Sequence, residues 1–212
     1  MSNAARLDPP MTVEEFQDWV PEPGLEGWRW QLIDGTPVGM APTSNAHGAI
    51  QSRTSTIIDM HLQKLGRCIV ITTPGVIPKK RSRINQLVPD LGVSRKSLGD
   101  FAGCADQPMT DNTIRDPILL VEILSPSNEG ITRGNVYAYQ TIPSVQEILV
   151  LSSRKVAGTL HRRDGQGEWP DDPDELDAQS TVELRCINLK VALAAFYGSS
   201  GLVGPAPNEK RA

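Results

Sequence analysis

The chain has 212 residues, a formal net charge of −4 and a pI near 5.4, long enough to bury one sizeable core and short for two domains of ordinary size. Adding 18 glycines to an apolar fraction of 39% gives an ordinary globular share, and with charged residues at 22% this excludes disordered, collagen-like and coiled-coil classes. No apolar run approaches the roughly 20 residues of a membrane helix, no secretory signal is legible, and the acidic balance excludes a broadly basic nucleic-acid coat, so the expectation is a soluble cytoplasmic protein whose polyanion site, if present, is local.

Residues 1–11 read as a loose terminus before a helix opened by Thr12, with Glu15 at capping-box spacing, that ends near Val20. The alternation of Trp28–Ile33, the Asp34-Gly35 turn and Val38–Ala41 predict a β-hairpin. Ser44 or Asn45 can cap a long helix whose apolar residues, from Ala46 through Ile50, Ile57, Ile58 and Leu62 to Leu65, recur at helical spacing up to Gly66. Cys68–Thr72, Val76-Ile77 and Val88–Val93 look like strands, followed by a polar loop at 95–116.

Ile118–Leu124 is apolar at every position but one, as expected of a strand covered on both faces at the centre of a sheet. A helix around Gly130–Thr141 and a strong strand at Glu147–Leu151 complete a predicted β-α-β crossover. Val156–Arg162 and Val182–Ile187 read as strands separated by the acidic stretch Gly165–Ser180, a short helix near Leu189–Tyr197 closes the fold, and 199–212 should be a mobile tail. One domain over 12–198 is the expected organisation.

Cys68, Cys104 and Cys186 are widely spaced and odd in number, and His47, His61 and His161 form no His-x-x-x-His pair, so neither a disulfide framework nor a zinc site is supported. The sharpest feature is Glu122, a carboxylate inside an apolar strand, where an ionised and unpaired acid costs several kcal/mol. A metal ion, a basic side chain or water at a cleft would compensate it. Alternation sets Leu120, Glu122 and Leu124 on one face, and Val121 and Ile123 on the other.

Asp90 interrupts a second apolar segment, Leu87–Val93, after a proline that signals an edge or a bulge. Two converging carboxylates plus water suit a hard cation such as Mg2+. Taken alone, Asp90 is a turn residue beside Gly92. His47 reads either as a general base near the acids or as a helix-start capping or packing residue. Lys79, Lys80, Arg81 and Arg83 form a run that either grips a phosphate backbone or is simply solvated. Arg154-Lys155 with Arg162-Arg163 is a second candidate basic face, and the tryptophans are too few for an extended stacking platform.

Five motifs in order then carry a resemblance: Trp-Gln-Leu-Ile-Asp-Gly at 30–35, His47 opening the long helix, Val-Pro-Asp-Leu at 88–91, Leu-Val-Glu-Ile-Leu-Ser-Pro-Ser at 120–127, and Ile-Pro-Ser-Val-Gln-Glu at 142–147. Over roughly 11–197 the chain resembles the Uma-two family, described as candidate restriction endonucleases of the PD-(D/E)XK nuclease superfamily. The resemblance implies an α/β, restriction-endonuclease-like core in which a mixed central β-sheet is flanked by helices, with an N-terminal helix and β-hairpin. It also implies that Asp90 and Glu122 bind Mg2+ or Mn2+ beside a scissile DNA phosphodiester, with Gln31 completing or flanking the site, and a homodimer is the expected form, as in many nuclease relatives.

Two departures accompany it. The superfamily lysine two residues after Glu122 is replaced by Leu124, and no lysine occurs between Lys96 and Lys155, where relatives tend to carry one on the next helix; Arg133 could supply charge and Asn135 could fill the vacated position. Relatives usually have glutamate where this chain has Gln31. Three readings therefore stand: a metal-dependent DNA endonuclease with a weakened site, a catalytically silent descendant that binds nucleic acid or a protein, and a structural dimer whose acids are satisfied by arginines.

Overall fold

Thr12 opens the first helix as its spacing predicts. In α1 (Val13–Asp18) the Thr12 hydroxyl accepts the Glu15 N–H at 3.2 Å and the Glu15 carboxylate accepts the Thr12 N–H at 2.7 Å, a reciprocal capping box; the helix stops short of Val20. The computed structural model describes residues 9–19, 21, 23, 25, 27–66, 68–95, 113–126 and 128–203. Most of the expected N-terminal segment, most of the 95–116 loop with Cys104, and the tail beyond 203 fall outside them. Met11, assigned by sequence to the loose terminus, donates its N–H to the Gly35 carbonyl at 2.9 Å.

β1 (Arg29–Ile33) and β2 (Thr36–Met40) pair antiparallel around Asp34 and Gly35. Both turn residues have positive φ, 48° and 75°, the backbone a tight two-residue hairpin demands. α2 (Asn45–Leu65) begins at Ser44, whose hydroxyl accepts the His47 N–H at 3.3 Å, and ends at Gly66 in the left-handed region.

β3 (Cys68–Thr72), β4 (Leu91–Arg95), β5 (Pro117–Leu124), β6 (Glu147–Ser152), β7 (Gly158–Arg162) and β8 (Asp174–Leu176) form a six-stranded sheet in that spatial order. β5 and β6 are parallel, joined by α3 (Glu129–Tyr139), and the other neighbours are antiparallel. This is the mixed sheet and β-α-β crossover the sequence predicts. β9 (Thr181–Leu184) and β10 (Leu189–Ala192) make a separate pair, linked by a 3-10 turn at Arg185–Ile187 and followed by another at Leu193–Tyr197.

Several boundaries differ from expectation. Val76 contributes only an isolated bridge to Leu87, and the segment expected to be extended from Val88 joins the sheet only at Leu91. β4 is an internal strand, so Pro89 marks neither an edge nor a bulge; it lies ahead of the strand, where its missing N–H costs no ladder bond, while the register shift sits at Val93/Ser94. The expected Leu189–Tyr197 helix is a short strand and a 3-10 turn, and the strand predicted over Val182–Ile187 stops at Leu184. β8 arises inside the acidic stretch, where an exposed edge strand needs no apolar run to announce it.

Alternation in β5 sorts its neighbours. Leu119, Val121 and Ile123 pack with Ile50, Ile58 and Leu62 of α2 and with Phe196 and Tyr197. Leu120 faces the other way, among Val136 and Tyr139 of α3 and Ile148 of β6. Each such side chain contributes about 1.5–3 kcal/mol on full burial, so the strand that carries Glu122 is held rigidly from both sides.

Candidate active site

Asp90 immediately precedes β4 and is 1% exposed. Its Oδ2 accepts the Ile123 backbone N–H at 2.7 Å, which draws it to the end of β5 beside Glu122. Its Oδ1 takes two further donors: Arg29 Nη1 at 2.7 Å from the hairpin and His47 Nε2 at 3.0 Å from the first turn of α2. The Gln51 amide at 2.9 Å and the Thr73 N–H at 3.0 Å donate to the Asp90 backbone carbonyl. Burial raises the Asp90 carboxyl, but the His47 bond and charge and the Arg29 guanidinium outweigh it and hold the group below its ordinary range. An ionised carboxylate only accepts, so His47 Nε2 carries the proton in that bond; Nδ1 of the same ring is buried with no partner.

Glu122 lies on the α3 face of β5, 4% exposed, and its Oε1 accepts the Tyr139 hydroxyl at 2.7 Å. Burial and then the negative charge of Asp90 push its carboxyl up to about 8, against smaller downward contributions from Tyr139, Arg29 and Asn135. Tyr139, buried against that acid, is raised well above its ordinary value and stays the donor. The two acids therefore feel one another, the surroundings favouring the charge on Asp90 and the proton on Glu122.

Gln31 and Asn135 fill the remaining wall. Asn135 Nδ2 donates to Gln31 Oε1 at 3.3 Å, and Gln31 Nε2 is buried without an acceptor. Gln31, where the resemblance implies glutamate, thus forms a neutral amide pair with Asn135. Arg133 does not serve as the substitute cation: it is 71% exposed and bound to Glu129 at 2.8 Å along α3.

Gln31, His47, Asp90 and Glu122 are thus brought together around Asn135 and Arg29. The loop bearing Lys79, Lys80, Arg81 and Arg83 is exposed at the turn end of the hairpin, where Arg81 pairs with Asp34 at 2.7 Å and the Arg83 carbonyl accepts the Val13 N–H; no described contact joins it to the acids. Of the second basic face, Arg162 is committed to Glu147 at 2.6 Å. Arg29 and Tyr139 escaped the sequence reading, though each carried a signal: Arg29 shares a strand face with Gln31 by alternation, and Tyr139 follows Asn135 by one helical turn.

The family model described as "Putative restriction endonuclease", Uma2, matches residues 13–194. The chain belongs to the Uma2 family. A Synechocystis protein named "Uncharacterized protein slr1290" is 28% identical over 190 residues, which span 89% of this chain and 92% of the relative. The crystal structure of "a putative nuclease belonging to DUF820" from Anabaena variabilis superposes with a TM-score of 0.64 at 16% identity, covering 90% of this chain and 99% of that one, and so supports the nuclease-type α/β fold for this Uma2 chain. Among the described residues of this Uma2 protein, no helix is long and apolar enough to cross a membrane.

The donor set of this Uma2 site fits a hard divalent cation through Asp90 and Glu122. Both offer carboxylate oxygens, and a cation bound by them would relieve the repulsion that raises Glu122. Among the described residues no three His, Cys, Asp or Glu side chains cluster, so an ion held here would take its further ligands from water or an amide oxygen. Such binding would require Glu122 to give up its proton and Arg29 to share Oδ1.

Proposed function

We propose that the protein is a metal-dependent endonuclease hydrolysing DNA phosphodiester bonds, with Asp90 and Glu122 as the ligands of Mg2+ or Mn2+. The observation that carries this reading is the convergence of those two acids, close enough for the charge of one to raise the carboxyl of the other. Family membership and the nuclease-type fold support it. Such an ion supplies an activated water and neutralises charge building on the phosphoryl oxygens.

The chain's own groups have separable parts. Asp90, anchored on the Ile123 N–H, fixes one ligand position. Tyr139 orients Glu122 and holds its Oε1. His47 orients Asp90 through Nε2, and only as a neutral ring, with Nδ1 unprotonated, is it proposed as a general base. Water oxygen bonds to phosphorus as the bond to the leaving sugar oxygen breaks, and that oxygen takes up a proton. Lys79, Lys80, Arg81 and Arg83 are proposed as contacts to the DNA backbone away from the cut, and a homodimer as the form that presents two sites to two strands.

Supercoiled plasmid and single-stranded DNA incubated with Mg2+ or Mn2+ test the reading, with Asp90→Ala and Glu122→Ala as controls. Cleavage that both substitutions abolish is the expected result. Cleavage that survives Glu122→Ala refutes its role.

A second reading has its own support. Every Asp90 carboxylate oxygen already has a donor, and the amide pair Gln31–Asn135 lowers the charge of the site. On that reading the protein is a catalytically silent nuclease-fold binder of nucleic acid or a protein. It predicts salt-dependent DNA binding with neither cleavage nor a Mn2+-induced rise in melting temperature.

A further inference from the structure

We propose that Arg29 is the residue that receives the substrate phosphodiester, holding a non-bridging oxygen with the edge of its guanidinium that Asp90 leaves uncovered. This rests on the acid pair being a nuclease site and adds the anion-binding group that the reading above lacks.

The first argument is access. Asp90, His47, Gln31, Glu122, Asn135 and Tyr139 are all buried, whereas the Arg29 side chain is 24% exposed. A phosphate arriving from solvent meets Arg29 before any other member of the site. The second is spare donor capacity. A guanidinium offers five N–H groups in a planar fork; Arg29 uses Nη1 on Asp90, and among the described residues its Nε and Nη2 donate to no partner. One arm can stay on the metal-side carboxylate while the other takes a phosphoryl oxygen, a bridging geometry that a lysine ammonium does not reproduce.

The third argument is charge. Arg29 sets a guanidinium directly against the buried acid of the site, and a positive group there attracts a phosphodiester. No other described arginine or lysine contacts the site: Arg133 is held by Glu129, Arg81 by Asp34 and Arg162 by Glu147. Gln31, two residues along the same strand face, adds a buried amide Nε2 that lacks an acceptor.

The test uses the full chain and a small chromogenic phosphodiester, the p-nitrophenyl ester of thymidine 5′-monophosphate, with binding read by calorimetry in wild type, Arg29→Ala, Arg29→Gln and Arg29→Lys. The expected result is binding weakened by about tenfold or more in Arg29→Ala and Arg29→Gln and partly kept in Arg29→Lys. Melting temperatures confirm folding, and Arg29→Gln keeps a donor toward Asp90 should the alanine variant unfold. Unchanged ester binding in folded Arg29→Gln, or no binding by the wild type, overturns the proposal.

Mn2+-induced stabilisation, measured in parallel, separates the two claims. If it is present while ester binding ignores Arg29, only the role of Arg29 falls. If it is absent while ester binding depends on Arg29, the acid-pair reading falls and the anion site stands.

Discussion

The Asp90 carboxylate accepts the backbone N–H of Ile123 at 2.7 Å, one residue past Glu122. That bond ties the loop entering β4 to the end of β5 and makes Asp90 a structural residue as well as a candidate ligand. Asp90→Ala strips partners from a buried N–H, from His47 and from Arg29. It is expected to cost about 3–4 kcal/mol, the lower part of the range for broken buried pairs because Arg29 reaches solvent. Urea denaturation measures this, and Asp90→Asn, which keeps an acceptor, should lose less.

Stability should fall with rising pH on account of Glu122. Its folded carboxyl is raised to about 8 from 4.5, so between those values the native state holds a proton that the unfolded chain has released. The slope of unfolding free energy with pH is then negative from about 4.5 to about 8, and flat above. Glu122→Gln should remove a loss on the order of a few kcal/mol across that window. His161, lowered by burial, acts in the opposite sense below its ordinary 6.5, so the difference between wild type and variant is the informative quantity. Asp90→Asn should move the Glu122 step to lower pH.

Mn2+ binding should carry the same signature. A cation that displaces one proton gains about tenfold in apparent affinity per pH unit below the Glu122 value and levels off near 8. Calorimetric titration at several pH values checks this, and a pH-independent affinity would remove Glu122 from the ligand set.

Glu147 provides the contrasting acid. It is 1% exposed, and its carboxylate accepts Arg162 Nε at 2.6 Å and the N–H groups of Arg185 and Cys186 at 3.1 Å. Glu147→Ala should destabilise by about 1–3 kcal/mol, since it leaves Arg162 Nε and two N–H groups without their acceptor while Asp174 and the Glu183 carbonyl still hold the guanidinium. In the folded fraction, Mn2+ binding should be unchanged.

Gly158 opposes Leu151 where β6 and β7 pair, and a Cβ there would stand 2.3 Å from the Val150 carbonyl oxygen. Backbone on both sides of the clash cannot yield cheaply, so Gly158→Ala should cost about 1–3 kcal/mol. Thermal denaturation reads it directly.

The capping box at Thr12, the Asp34-Gly35 hairpin, α2 between Ser44 and Gly66, and the covered strand β5 were legible because each is set by local chemistry or by period. β8 and β10 were not, since their residues have no distinctive apolar pattern and owe their conformation to neighbours brought by the chain trace. Glu122 and Asp90 stood out as acids in apolar surroundings. The grip of Arg29 on Asp90, 61 positions away, leaves no trace in local sequence.

The site draws on the hairpin, the start of α2, the approach to β4, the end of β5 and one face of α3, so none of its hydrogen bonds joins near neighbours in the chain. Closing such distant loops is entropically slow. By contact order, helices and the central crossover are expected to form before these long-range bonds, so any cation the acids hold would be bound only once Asp90 has reached β5.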